Sequence, residues 1–305
     1  MPMIMMLNLK GGVAKTTNTI AIAEYLASLG KKVLAVDADH QSLAGELLLG
    51  ENGLLRAESR CKTLHDLLAF MLNDGFNAEA IDTYITHQVS NIKDARENLD
   101  CIPCSHRIDE FSTNMARARR GHQTNEEFLS RLNRLRRVFN RWCNNHYDYT
   151  LIDCPPSFAI QILFLLGSAD YFIVPSIPDR LSVRGSLFLL ERIRMRGFTR
   201  IRCLGTLWSM VRVQIRNHLD IMNLVKNSAA EYKNLPRPFE TYIPNMAAIA
   251  DALDSQSEFP HFQSKYQYQA TRLFKSLCEE IMQRIAQLPN AQSSYQSTTE
   301  PSSGS

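Results

Sequence analysis

Short apolar runs alternate with helical apolar patterns along most of the chain. The first run covers residues 3–9, and the apolar residues after it recur at helical spacing: Ile22, Ala23, Leu26 and Leu29. Comparable runs lie at 33–36, 99–103, 147–152 and 171–174, and helical patterns lie at 64–72, 128–142 and 266–285. Because strands that alternate with helices build βαβ units, the pattern predicts an α/β fold with a doubly wound, mainly parallel sheet flanked by helices.

One part of the chain is longer than this alternation requires. The stretch between Asp39 and Asp153 exceeds what two βα units need, which predicts a helical insertion near residues 105–145. Residues 107–125 are polar and are expected to form an exposed linker or lid, and the helix over 128–142 is strongly amphipathic. For the arginines on its polar face, solvation is a slightly better interpretation than nucleic-acid contact: Arg131, Arg134, Arg136, Arg137 and Arg141.

Composition fits one large domain. The 305 residues are 45% hydrophobic and 21% charged, so residues 1–288 can bury a sizeable core as a single domain. The Ser-, Gln- and Thr-rich tail, 289–305, is expected to be disordered. The longest apolar stretch is interrupted by polar residues, no export signal is evident, and the seven cysteines are scattered. These features predict a cytoplasmic protein with reduced thiols and no membrane attachment.

A glycine-rich turn joins the first predicted strand to the first predicted helix. Gly11 and Gly12 let backbone N–H groups approach phosphate oxygens closely, and the helix that starts near Lys15 adds its free donors and dipole. Lys15 is then placed to bind the β- and γ-phosphates of a nucleotide, and the Thr16 hydroxyl to ligate Mg²⁺. The candidate nucleotide-binding loop comprises Lys10, Gly11, Gly12, Val13, Ala14, Lys15, Thr16 and Thr17. Ala14 stands where the common single-lysine loop has glycine.

Two further predicted strands end in carboxylates. The run at 33–36 is followed by Asp37 and Asp39, whose side chains leave an extended chain on the same side. The run at 147–152 is followed by Asp153, and then two prolines fix a turn. Because ligands of an open parallel sheet gather at the carboxyl ends of its strands, these acids are expected beside the phosphates and the metal ion.

These three segments, in this order, resemble the ParA/MinD class of deviant Walker A ATPases. The matching patterns are K-G-G-x-x-K-[ST] at 10–16, D-x-D-x-Q at 37–41, and D-x-P-P at 153–156. Many members of that class have glycine at the position of Ala14, and proline is usual at the position of His40. The resemblance implies the P-loop NTPase fold, ATP and Mg²⁺ as cofactors, and metal coordination by Thr16, Asp37 and Asp153.

The resemblance also implies roles in catalysis. Lys10 corresponds to the signature lysine, which reaches across a dimer interface to the nucleotide of the partner subunit. Asp39 would orient or deprotonate the water that attacks the γ-phosphate. Lys10, Lys15 and Asp39 are therefore the expected catalytic residues of an ATP-dependent homodimer that hydrolyses ATP slowly.

The last third of the chain matches the family less closely. Residues 241–245 resemble a late strand and turn whose backbone lines the adenine pocket, which nominates Pro244 and Asn245. The chain ends without the basic amphipathic helix that attaches MinD-like proteins to membrane, so no membrane partner is expected. No helix-turn-helix precedes the loop, so binding to a specific operator is not expected either.

Positive charge is concentrated between Arg180 and Arg216, although the chain as a whole carries only +3. This segment has nine arginines and one acid, Glu191, which would attract a phosphate backbone without reading bases. ParA-like proteins bind nonspecific double-stranded DNA as ATP dimers through this part of the chain. The candidate DNA-binding residues are Arg192, Arg194, Arg196, Arg200, Arg202, Arg212 and Arg216.

The implied function is a nucleoid-associated ATPase that positions or segregates a cargo. The cargo would be a plasmid, a chromosome region or a protein body, and a ParB-like or adaptor protein would stimulate hydrolysis. Two alternatives stay open: an ATP-bound DNA scaffold that does not cycle, and an ATP-driven enzyme on the same scaffold, such as an iron–sulfur reductase or a dethiobiotin-synthetase-like ligase. Cys101 and Cys104 form a C-x-x-C motif, but without a second such pair buried thiols are the favoured interpretation.

Overall fold

The computed structural model describes residues 2–227, 230–255 and 257–288, so the predicted tail 289–305 lies outside the described part. Its strands are β1 Met3–Met6, β2 Val33–Asp37, β3 Leu99–Ile102, β4 Tyr149–Asp153, β5 Tyr171–Ser176 and β6 Arg202–Trp208. They form one sheet in the order β3-β2-β4-β1-β5-β6, and every pair of neighbours is parallel. The predicted fold class is therefore confirmed.

The helices connect these strands across both faces of the sheet. Their bounds are α1 Lys15–Ser28, α2 Leu43–Leu49, α3 Glu51–Ser59, α4 Leu64–Met71, α5 Lys93–Arg96, α6 Phe111–Arg120, α7 Asn125–His146, α8 Ile160–Leu166, α9 Arg180–Met195, α10 Arg216–Lys226, α11 Ala247–Asp254 and α12 Phe262–Gln287. Short 3₁₀ turns occupy Ala78–Tyr84, His106–Glu110 and Ala230–Tyr232. Within the described ranges no helix is long and apolar enough to cross a membrane.

The sheet is buried on both faces because successive residues of each strand belong to different cores. In β1, Met3 and Met5 pack with α4, α6, α7 and α8, whereas Ile4 and Met6 pack with α1, α11 and α12. All four side chains are at most 1% exposed. A near-continuous apolar strand is typical of such a central position in a parallel sheet.

The register brings the acidic strand ends together. β4 lies between β1 and β2, so that Asp153 is paired with Met6 on one side and with Asp37 on the other. The loop after β1 and both carboxylates therefore share the carboxyl edge of the sheet, as the sequence predicts.

The prediction of an exposed linker or lid at 107–125 is wrong. These residues begin in the 3₁₀ turn His106–Glu110 and continue as α6. Ile108 and Phe111 are fully buried, and the Phe111 ring packs edge-on against Phe164. Two isolated apolar residues in a polar segment carry little periodic signal, which is why the sequence did not indicate a helix here.

The amphipathic helix α7 is longer than the predicted range 128–142, and its arginines are less exposed to water than the sequence predicts. Arg136 is half-buried: it donates to the Leu163 carbonyl (3.0 Å) and passes over Gly167, where a Cβ would collide with it. Arg131 donates to the Leu72 carbonyl at 2.7 Å and pairs with Asp74 at 2.9 Å. The prediction that these two arginines face water is therefore wrong. Whether residues 105–145 form a family-specific insertion, and where the domain ends, stay predictions.

A buried ion pair connects α12 to α1. Lys265 donates to both carboxylate oxygens of Glu24 at 2.8 and 2.9 Å, and neither side chain is more than 3% exposed. Tyr266 and Ser90 donate to the same carboxylate at 2.8 and 2.6 Å. Four hydrogen bonds from three side chains thus satisfy the buried charge of Glu24.

Candidate nucleotide-binding site

The loop after β1 has the open shape that a phosphate group requires. A Cβ built on Gly11 or Gly12 would meet no atom within 4 Å, and Gly12 has a φ of +70°. Val13 is fully buried and anchors the loop, whereas Thr17 is half-buried in the first turn of α1. The backbone of the two glycines therefore stays accessible to a ligand.

Ala14 adopts the left-handed conformation, with φ 62° and ψ 37°, immediately before α1. This conformation is one that glycine adopts without penalty, whereas an L-residue with a Cβ is strained in it. The structure therefore explains why glycine is usual here: alanine is accepted, but at a cost in stability.

Lys15 lies under the loop with only 7% of its surface exposed. Its Nζ donates to the Lys10 carbonyl at 3.1 Å. Burial lowers the pKa of Lys15, while the nearby carboxylates of Asp153 and Asp39 act in the opposite direction. A cation at the N-terminus of α1 is not favoured by the helix dipole, which makes a phosphate the natural counterion for it.

The candidate metal ligands lie together. The Thr16 hydroxyl donates to Asp153 Oδ2 at 2.6 Å, and Asp153 Oδ1 is buried without a hydrogen-bond partner in the described residues. Asp37 is fully buried beside it and accepts backbone N–H groups from Asp39 (3.0 Å) and Gly45 (2.8 Å). Burial raises the pKa of both Asp37 and Asp153.

A hard divalent cation fits this arrangement. The orphaned oxygen of Asp153 and the adjacent Thr16 hydroxyl are the oxygen donors that Mg²⁺ prefers, and Mg²⁺ usually completes its shell with phosphate oxygens and water. Within the described ranges no group of three or more His, Cys, Asp or Glu residues forms a separate metal site. Cys101 and Cys104 are both fully buried, as the thiol interpretation expects, and burial raises the pKa of each.

Asp39 is at the same edge but in a different environment. Its Oδ1 accepts the Gln41 N–H at 3.1 Å and lies 3.4 Å from His40 Nδ1. Its side chain is 14% exposed, whereas that of His40 is 51% exposed. The carboxylate is therefore held by its own loop, with His40 as a second partner that proline could not supply.

The Lys10 side chain is bound by residues of its own subunit. Its Nζ donates to Ser182 Oγ at 2.6 Å and to Asp179 Oδ2 at 3.1 Å, at the start of α9. Asp179 also caps α9 by accepting the Ser182 N–H at 2.8 Å. Although burial acts to raise it, hydrogen bonds from Ser182 and Lys10 lower the pKa of Asp179.

Sequence reasoning missed Asp179, Ser182 and Asn8. Asn8 is fully buried: its Nδ2 donates to the Pro175 carbonyl at 2.6 Å, and its Oδ1 accepts the Lys10 N–H at 3.1 Å. One signal was available for Asn8, because it is a polar residue within an apolar run. An Asp three residues before a Ser at a helix start also predicts an N-cap. Nothing in the neighbouring sequence predicts that Lys10 forms an ion pair with that Asp.

The prediction of a late strand at 241–245 is wrong, because these residues form no strand of the sheet. The segment makes an isolated bridge between Pro244 and Val211, in which the Val211 N–H donates to the Ile243 carbonyl at 3.2 Å and the Asn245 N–H donates to the Val211 carbonyl at 2.9 Å. The Ile243 N–H also donates to the carbonyl of Trp208, the last residue of β6, at 2.8 Å. Asn18 of α1 donates to Ser209 at 2.9 Å, so the end of β6 lies near the phosphate-binding helix. Pro244 and Asn245 are therefore near the candidate site, and their role with adenine stays a prediction.

The candidate DNA-binding arginines do not form one cluster. Arg212 and Arg216 follow β6 at the carboxyl edge of the sheet, and both are exposed. Arg200 and Arg202 lie at the other end of β6, about 20 Å away at 3.3 Å per residue. Arg192, Arg194 and Arg196 are exposed along the second half of α9 and just after it.

This fold and site define a P-loop nucleotide-binding protein of the doubly wound α/β class. The family model described as "AAA domain" matches residues 1–197. The chain belongs to this family and is a ParA-like ATPase.

Two curated relatives cover most of the chain. The sporulation initiation inhibitor protein Soj of Bacillus subtilis is 27% identical over 248 residues, covering 80% of this chain and 85% of that protein. The chromosome-partitioning ATPase Soj of Treponema pallidum is 26% identical over 287 residues, covering 93% and 98%.

Solved structures at lower identity share the fold. A putative plasmid partition protein of Borrelia burgdorferi bound to AMPPNP is 17% identical with a TM-score of 0.66, covering 93% of this chain and 99% of that one. The cobyrinic acid a,c-diamide synthase of Mycobacterium smegmatis with bound ADP and magnesium also has a TM-score of 0.66, at 20% identity and 94% and 96% coverage.

Proposed function

We propose that this ParA-like ATPase binds ATP with Mg²⁺ and uses slow hydrolysis to position or segregate a cargo on DNA. One observation carries the proposal. Thr16 and Asp153 are hydrogen-bonded at 2.6 Å beside an open phosphate loop, and the second oxygen of Asp153 is buried and unsatisfied within the described residues. The Treponema relative, a chromosome-partitioning ATPase, supports a role in chromosome partition.

Different residues would bind the phosphates, the metal ion and the attacking water. The N–H groups of Gly11 and Gly12, where no Cβ blocks a ligand, would bind the phosphate oxygens, and the ammonium of the buried Lys15 would neutralise their charge. Thr16 and Asp153 would hold Mg²⁺, with Asp37 in its outer shell. When bound, Mg²⁺ supplies charge stabilisation of the phosphate oxygens. Asp39 orients the attacking water, since it lies at the same edge and is the most exposed of the three acids.

Lys10 must change partner for the proposed dimer to form. In one subunit its ammonium is engaged by Asp179 and Ser182, which lie in the same chain. Reaching a nucleotide in a second subunit requires that this contact breaks. ATP binding would therefore be coupled to dimer assembly through an exchange of ion pairs on Lys10.

Nonspecific duplex DNA is the proposed binding partner of the dimer. Arg212 and Arg216 support this proposal best, because they are exposed and follow β6 at the carboxyl edge of the sheet, the edge that carries the candidate nucleotide site. A dimer formed at this edge would carry two such pairs, so DNA affinity would rise with ATP-dependent dimerisation. Binding through phosphates alone weakens steeply as salt increases.

The test compares DNA binding and turnover in the same protein. Wild type is expected to bind random-sequence duplex with ATP but not with ADP, and to hydrolyse ATP slowly until a stimulating partner is added. Lys15→Ala should lose ATP binding and, with it, both properties. Arg212→Glu together with Arg216→Glu should lose DNA affinity while ATP-dependent dimerisation is retained. Equal DNA affinity with ATP and with ADP would refute the proposed coupling between ATP-dependent dimerisation and DNA binding.

A second candidate is an ATP-bound DNA scaffold that does not cycle. The observation that favours it is the 3.4 Å contact between His40 and Asp39, which engages the carboxylate that should orient water. His40→Pro would then raise the ATPase rate, with Gln41→Ala as a neighbouring control. An undetectable wild-type rate that His40→Pro restores would favour the scaffold over the cycling switch.

A further inference from the structure

Three large apolar side chains form a line along the exposed face of α9. Leu181, Phe188 and Met195 are 74%, 50% and 74% exposed. They are spaced by seven residues, which places them on one stripe about 21 Å long at 1.5 Å per residue. The opposite face of α9 is buried through Val183 and Leu189. This apolar stripe is therefore additional to the residues that hold α9 on the domain.

Arginines flank the apolar stripe on both sides. At 3.6 residues per turn, Arg184 lies on one side of it and Arg192 and Arg196 on the other. The Arg192 guanidinium stacks on Phe188, 4.9 Å from the ring centroid, and Arg196 stacks on Phe158 at 5.5 Å. In the described ranges no ion pair within 4.0 Å involves these three arginines. Stacking leaves the edge of a guanidinium open for bidentate pairing with a carboxylate.

Gly185 lies beside the stripe, between Leu181 and Phe188. A glycine inside a helix destabilises it relative to alanine. A Cβ at Gly185 would meet no atom of the described chain within 4 Å, so packing inside this subunit does not require a glycine. The missing Cβ leaves a dip along the side of the stripe, which suits the close approach of another backbone.

We propose that α9 is a docking site for an acidic amphipathic helix of a partner protein. Apolar residues at heptad spacing pack best against another helix at a shallow crossing angle, and the flanking arginines match carboxylates on either side of its apolar face. Duplex DNA offers phosphates but no apolar surface for the stripe. A second copy of α9 would oppose arginine to arginine. The site requires neither ATP nor DNA, so its failure leaves the proposed function standing.

The test uses a synthetic helical peptide of 21 residues, with leucine at heptad positions and glutamate on both flanks. Fluorescence anisotropy should detect binding of this peptide to the whole protein. A scrambled peptide of the same composition, and a version with lysine in place of glutamate, should bind at least about tenfold more weakly. Leu181→Ser with Phe188→Ser should weaken binding by a similar factor. Leu55→Ser with Leu129→Ser, at helical sites 54% and 53% exposed, should not change it.

Gly185→Ala separates docking from stability. Because alanine favours the helix, this variant should raise the Tm, while its added methyl group fills the dip and weakens peptide binding. Three results would overturn the proposal: no binding of the acidic peptide, equal binding of the scrambled peptide, or peptide affinity unchanged in the stripe variant. Loss of a nucleotide-free dimer in the stripe variant would also overturn it, by assigning the stripe to self-association.

Discussion

Asp179→Asn is the substitution that best isolates the contact between Lys10 and its own subunit. Asparagine is as good a helix cap as aspartate and can still accept the Ser182 N–H, so α9 should keep its start. What is lost is the negative charge opposite the Lys10 ammonium. We therefore expect the variant to form the ATP dimer more readily than wild type, because Lys10 no longer has to leave an ion pair.

The size of the effect follows from the geometry of the pair. Nζ and Oδ2 are 3.1 Å apart, but the two side chains are 32% and 28% exposed, so solvent screens the attraction. Partly exposed pairs of this kind contribute about 1 kcal/mol at most. Two subunits each lose one pair, so removing both should favour the dimer by up to about 2 kcal/mol, or about thirtyfold in its dissociation constant.

Sedimentation velocity with a non-hydrolysable ATP analogue measures this constant directly. Asp74→Asn is a matched control, since it removes the same charge from a pair with Arg131 that includes no residue of the loop or of α9. Asp179→Ala, which also loses the cap, shows how much of any effect comes from α9 itself. A dimer constant that is unchanged or weaker in Asp179→Asn would refute the idea that Asp179 restrains Lys10.

Three further expectations concern stability. Ala14→Gly should raise the free energy of unfolding by up to about 1 kcal/mol in urea titrations, since glycine removes left-handed strain but adds disorder to the unfolded chain. Lys265→Met should lower it by about 3–5 kcal/mol, because the Glu24 charge stays buried without its cation. A loss below about 1 kcal/mol would contradict the stabilising role of this buried pair. Burial raises the pKa of Asp153 and Asp37, so their contribution to stability is complete below the unfolded carboxyl pKa and is lost as pH rises through the raised folded pKa. Without Mg²⁺, the free energy of unfolding of Asp153→Asn relative to wild type should therefore increase as pH rises from about 4 to about 7, the interval between the unfolded and folded pKa of Asp153, and a constant difference would contradict the raised pKa.

The sequence predicted the nucleotide site well because its parts are local. Gly11 and Gly12 belong to one short loop, and Asp37 and Asp153 each end an apolar strand, so parallel pairing alone brings them together. The sequence shows alanine at position 14 where the common loop has glycine, but the left-handed backbone of Ala14 is visible only in the structure.

What the sequence did not predict depends on contacts between distant segments. Lys10 meets Asp179 only because β1 and β5 are neighbours in the sheet. The arginines of 192–216 look like one group along the chain, but β6 separates them to opposite edges of the sheet. The sequence does not predict the helix within 107–125, because its buried contacts come from Ile108 and Phe111, and two apolar residues show almost no helical periodicity.

The central claim is that each nucleotide site is completed by a second copy of the chain, and Lys10→Ala tests it most directly. Sedimentation velocity and nucleotide titration on this variant separate binding from assembly. We predict ATP affinity close to that of wild type, because Lys15 and the loop are intact, together with loss of the ATP-dependent dimer and of ATP hydrolysis. A Lys10→Ala protein that dimerises and hydrolyses ATP like wild type would contradict the claim and confine Lys10 to its contact with Asp179.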